Sequence, residues 1–99
     1  MGKPDHVRAH THASFHREEV LNSKNCGCFY CLAVFGPDKI EVWIDVRNGI
    51  GQTALCPLCG IDSVIGSGSG FPISREFLSK MHTYWFGTIT EPKTGSQYL

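Results

Sequence analysis

Ninety-nine residues with 41% hydrophobic and 18% charged side chains describe one small globular domain, not a disordered chain. Nine Lys and Arg against nine Asp and Glu leave no formal net charge. That balance argues against a duplex-DNA clamp or a polybasic membrane binder, whose affinity comes from counterion release at many cationic groups.

Residues 1–13 carry His6, His10 and His12, with His16 just beyond, and show no apolar period. They are expected to form a mobile segment, whose histidines offer an alternative site for a second metal ion. The opening Met1-Gly2-Lys3-Pro4-Asp5-His6 has neither the apolar run of a secretory leader nor the Ser or Thr of a myristoylation signal. No apolar stretch approaches the ~20 residues of a membrane helix. A cytoplasmic location with no membrane partner is therefore expected. Ser14 is a candidate cap for a short helix over residues 15–23, with Glu18 and Glu19 favourable to its dipole.

Residues 26–31 read Cys-Gly-Cys-Phe-Tyr-Cys, and Gly36-Pro37-Asp38-Lys39 is a turn signal. Ile40, Val42, Ile44 and Val46 then alternate with Glu41, Trp43, Asp45 and Arg47, which predicts a strand with its branched face buried. Asn48-Gly49 predicts a hairpin turn. After Cys56-Pro57-Leu58-Cys59-Gly60, residues 61–65 read as a short strand and residues 66–70 as a flexible connector. Ser74 caps a predicted helix whose Phe77, Leu78, Met81, Tyr84 and Trp85 share one face, and Gly87 ends it. The domain is thus expected over residues 14–87, with a flexible tail over 88–99.

The cysteines carry the chemistry. Cys28 and Cys31 are separated by two residues, as are Cys56 and Cys59, with 24 residues between the pairs. Two such knuckles close a tetrahedron of thiolates around one structural zinc. Pro57 presets the second turn and Gly60 permits the left-handed backbone after it; Leu32 occupies the corresponding place in the first. Zinc would also supply stability that a chain this short otherwise lacks. Five cysteines, an odd number, argue against a disulfide framework. Cys26 reads as a bystander, an alternative ligand or a redox-exposed thiol. Asp62, three residues past the second knuckle, is a candidate for orienting that knuckle through hydrogen bonds. Trp43, flanked by Glu41 and Asp45, is either an exposed aromatic platform or packed against Phe77, Met81 or Trp85 of the helix.

The knuckle pair with its inserted hairpin resembles the zinc-ribbon and treble-clef zinc-finger superfamilies. The stretch from Cys26 through Trp43 and Cys-Pro-Leu-Cys-Gly to the helix also resembles a group of small bacterial cytoplasmic proteins. That resemblance covers roughly residues 15–87 and implies a stand-alone zinc domain without an assigned activity. The treble-clef HNH nucleases share a similar Cys-Pro-x-Cys knuckle. They need an Asp-His pair on a hairpin, and here only Asp62-Ser63 follows the knuckle, with no histidine before His82.

The expected fold is therefore a small α+β, zinc-stapled domain with two cysteine knuckles, a short antiparallel sheet and a C-terminal helix. The expected function is a non-enzymatic protein-interaction or adaptor module, with Tyr84, Trp85, Phe86 and Trp43 as its recognition surface. The alternatives are a nucleic-acid-binding finger using Arg47, Arg75 and Lys80, a degenerate nuclease, or a thiol redox sensor using Cys26.

Overall fold

The computed structural model describes residues 2–87. In chain order the elements are α1 (Asp5–Arg8), a 3-10 turn (Ala9–His12), α2 (Arg17–Leu21), β1 (Cys26–Cys28), β2 (Val34–Phe35), a 3-10 turn (Pro37–Lys39), β3 (Trp43–Arg47), β4 (Ile50–Ala54), β5 (Val64–Gly66), a 3-10 turn (Ser67–Ser69) and α3 (Arg75–Phe86). This is a small α+β chain with two short antiparallel sheets, as the sequence leads one to expect. Among the described residues no helix is long and apolar enough to cross a membrane. The expected tail over 88–99 lies outside the described residues.

β1 lies between β2 and β5, antiparallel to both. Strand geometry sends successive side chains to opposite faces, and this sheet is covered on each. Cys26, Cys28 and Val64 join Val20, Ile40, Ala54 and Cys56 in one core. Ile65 joins Phe29, Phe77, Leu78 and Met81 in the other. Gly27 sits under α3, where a Cβ would come within 2.6 Å of Leu78 Cδ1. The helix starts as predicted: Ser74 Oγ accepts a 3.2 Å hydrogen bond from the Phe77 amide, and Gly87 follows its last turn at φ 98°.

β3 and β4 form a separate hairpin, with Asn48 and Gly49 at positive φ, as its tight turn requires. The expected buried face of β3 is corrected here. Val42 and Val46 are 53% and 65% exposed, and Ile40 is buried before the strand begins. A two-stranded hairpin has only the side that meets its neighbours to bury, and that side belongs to Trp43. Trp43 packs on the Cys26–Val64 core under the Arg17 guanidinium, 4.7 Å from its ring. Its expected packing against α3 does not occur, because α3 covers the opposite face of the central sheet.

Residues 1–13, expected to be mobile, include two helical turns. Ala9 and Ala13 are buried in the α3 core at 0% and 5% exposure. Their small side chains let backbone approach closely, a kind of packing that leaves no amphipathic period to read. Trp85 Nε1 donates to the His6 carbonyl at 3.4 Å, and the His10 ring lies 4.0 Å from the Trp85 ring. The residues 66–70 do not form a free connector either. The Lys24 amide donates to Ser67 Oγ at 2.9 Å, and the Gly68 amide donates to Ser23 Oγ at 2.8 Å.

His16, not Ser14, stands at the start of α2. It is buried, and both ring nitrogens are engaged. Nδ1–H donates to the His12 carbonyl at 2.6 Å, and Nε2 accepts from the Ala54 amide at 3.0 Å. Its own amide donates to the Gln52 carbonyl at 2.9 Å, so one residue pins α2 to β4. A second ring proton would point at the Ala54 N–H. Desolvation by burial lowers the His16 pKa below its ordinary value. The unfolded chain therefore binds this proton more readily than the folded one. The stability contributed by His16 is complete above about pH 6.5 and is lost as pH falls through the depressed folded value. An NMR titration is expected to place the His16 midpoint below that of a free imidazole.

Candidate metal centre

Cys28 ends β1, and the chain then turns through Phe29 and Tyr30 to Cys31. Cys56 follows β4 by one residue, and the chain turns through Pro57 and Leu58 to Cys59. The ligand atoms of these four residues lie within 4.8 Å of one another. Cys28 and Cys59 sulfurs are 3.7 Å apart, and so are those of Cys31 and Cys56. A tetrahedron with bonds of about 2.3 Å has edges of about 3.8 Å. A disulfide needs about 2.05 Å, and all five cysteines are free thiols. The four sulfurs thus fit a single thiophilic metal ion.

The two knuckles repeat each other bond for bond. Cys28 Sγ accepts from the amides of Tyr30 and Cys31 at 3.3 and 3.4 Å. Cys56 Sγ accepts from the amides of Leu58 and Cys59 at 3.4 and 3.5 Å. The Leu32 amide donates to the Cys28 carbonyl at 2.8 Å, and the Gly60 amide to the Cys56 carbonyl at 2.9 Å. Both closing residues are left-handed, Leu32 at φ 67° and Gly60 at φ 80°. Glycine takes this conformation freely, whereas a residue with a Cβ takes it at a cost. Leu32 is held there by its packing against the α3 core. At Gly60 a Cβ would have nothing within 4 Å, so φ alone decides. Gly60→Ala is expected to lower stability by about 1 kcal/mol, read from the thermal melt of the metal-loaded chain.

Cys28 and Cys56 are buried, Cys59 is half-buried, and Cys31 reaches the surface. Desolvation pushes the Cys31 and Cys59 thiols up from their ordinary value. It acts on Cys56 as well, but the Cys59 and Leu58 amides outweigh it and bring that thiol down. Amide donors of this kind stabilise sulfur as thiolate, the form that binds metal.

Ser63, which carries no motif signal in the sequence, completes the cluster. It is buried, and its hydroxyl lies 3.2 Å from Cys28 Sγ, placed to donate to a thiolate. Asp62, the residue expected to orient the knuckle, is exposed at the surface. The one signal that could have separated them is position: Ser63 directly precedes the buried strand β5, so its side chain turns inward. Cys26 lies in the core next to the cluster but outside the group of four. Burial pushes its thiol up to about 11.

The histidines do not gather into a second group among the described residues. His12 Nδ1 meets both Glu19 carboxylate oxygens at 2.9 and 3.0 Å, and both His16 nitrogens are taken. His82 Nδ1 faces the Phe29 carbonyl at 3.2 Å, within α3. Of the expected recognition residues, Tyr84, Trp85 and Phe86 form one exposed aromatic end of α3. Tyr84 meets His6 and Trp85 edge-on, and Phe86 meets Tyr30 of the first knuckle. Trp43 lies apart from them on the other core. Arg75 donates to the Leu32 carbonyl at 3.0 Å and Arg47 sits 4.5 Å over the Phe15 ring, so each is already committed. Compared with protein-family models, with curated proteins and with solved structures, the chain matches none of them.

Proposed function

We propose that this chain is a non-enzymatic binding module stapled by one structural zinc ion on Cys28, Cys31, Cys56 and Cys59. The sulfur spacing of 3.7 Å, backed by four amide donors, carries this reading. Four thiolates suit zinc among the divalent ions, and a closed set of four leaves no position for a reacting water. The ion joins the end of the β3–β4 hairpin to the central sheet and lets the remaining surface be used for recognition. The aromatic end of α3 is the surface we assign to a protein partner, since exposed Tyr and Trp are what interface cores favour. The nuclease alternative lacks the Asp-His pair that its knuckle motif needs, since Ser63 follows Asp62 in the sequence, and the redox alternative lacks an accessible Cys26.

Native mass spectrometry of the chain purified from cells without added metal is the test. One zinc per chain, lost together in Cys28→Ser and Cys56→Ser variants, is the expected result. A folded chain with no metal, or with iron in its place, would overturn the assignment.

A further inference from the structure

A cleft of about 590 Å³ runs between the N-terminal turns and α3, within the size range of small-molecule sites. Its charge is one-sided. Lys3 and Arg8 line it, joined by the imidazoles of His10 and His12, and no carboxylate among the described residues does so. Asp5, which pairs with Arg8, and Glu19, which pairs with His12, are not among its lining residues. Its aromatic surfaces are fixed. Phe71 is stacked on Phe77 at 5.9 Å, and Trp85 packs against the His10 ring at 4.0 Å. The Arg8 guanidinium stands 5.2 Å from the Phe71 ring centre, so charge and ring meet in one wall. Arg8 also pairs with Asp5, but that pair is exposed and contributes little, so an incoming anion can compete for it. Glu19 holds His12 by Nδ1, which leaves Nε2 to meet a ligand.

We propose that this cleft binds a small aromatic anion of the mononucleotide class. The ring would lie against Trp85, and the phosphate would take Lys3 and Arg8, drawing the Arg8 guanidinium off the Phe71 ring it now covers. The same chemistry is offered by a free nucleotide and by the phosphorylated end of a single strand. The inference does not depend on zinc, and it shares only Trp85 with the surface assigned to a protein partner.

The test uses the full metal-loaded chain and four probes: AMP, adenosine, inorganic phosphate and a 5′-phosphorylated oligothymidylate. The readout is the indole N–H resonance of Trp85, with Trp43 as the internal control. AMP is expected to shift Trp85 saturably and leave Trp43 unmoved. Adenosine and phosphate alone should each bind at least about tenfold more weakly. Lys3→Gln and Arg8→Gln should weaken AMP by a similar factor, with metal content and melting temperature confirming the fold. Tighter binding of the oligonucleotide supports the site and names a strand end as the source; tighter binding of AMP supports it and names a free nucleotide. An unmoved Trp85, or AMP affinity unchanged in both variants, sinks the proposal. A chain that ignores AMP yet retains its zinc leaves the metal assignment standing, so the two failures are distinguishable.

Discussion

Stripping the metal with a strong chelator is expected to abolish the cooperative melt, not merely to shift its midpoint. A small domain is stable by about 5–15 kcal/mol in total, and a structural zinc contributes on the order of 10 kcal/mol. Removal also leaves two buried thiols with amides aimed at them and no cation to share. The four ligands should differ in cost. Cys28 and Cys56 each accept two amides and pack in the core, so their Ser variants should lose the fold. Cys31 is exposed, and Cys31→Ser should retain weak zinc binding. Far-UV circular dichroism during chelation and zinc re-addition reads all of this. A chelated chain that still melts cooperatively at its original temperature would remove the metal from any account of the fold.

Leu78→Ala is expected to cost about 2–5 kcal/mol, because Leu78 is fully buried where α3 crosses β1. The same crossing makes a sharper prediction. Gly27→Ala alone should cost about 1–3 kcal/mol, since its new methyl meets Leu78 Cδ1 at 2.6 Å. In the Leu78→Ala background that obstruction is gone and the methyl fills part of the space. The double variant should therefore be more stable than the sum of the two losses allows. Urea unfolding of the four chains closes the cycle. Strict additivity would show that the two positions do not touch.

The parts legible in the sequence are those whose determinants are local. Each pair of cysteines three positions apart closes its knuckle with amides from within its own few residues. Ser74 caps α3 and Gly87 follows it by rules that need only neighbouring residues. The parts that were not legible depend on distant partners. Ala9 and Ala13 look like nothing until α3 covers them. The alternation over residues 40–47 signals a strand, which forms over Trp43–Arg47, but which face is buried depends on where the hairpin packs, and Trp43 settles it. Ser67 and Gly68 read as linker because their tie to the chain just after α2 spans more than forty positions. Leu32 in a left-handed turn contradicts local preference, and its packing against the distant α3 core holds it there.

The contact between Trp85 and His6 joins residues 79 positions apart. At ordinary rates of translation the N-terminal turns leave the ribosome roughly 4–16 seconds before the indole they rest against. Everything between residues 26 and 66, both cysteine knuckles included, can assemble in that interval. The N-terminal turns thus wait for α3 to complete the core they share, and a chain ending before Phe77 would leave Ala9 and Ala13 without Phe77, Leu78 and Met81 against them.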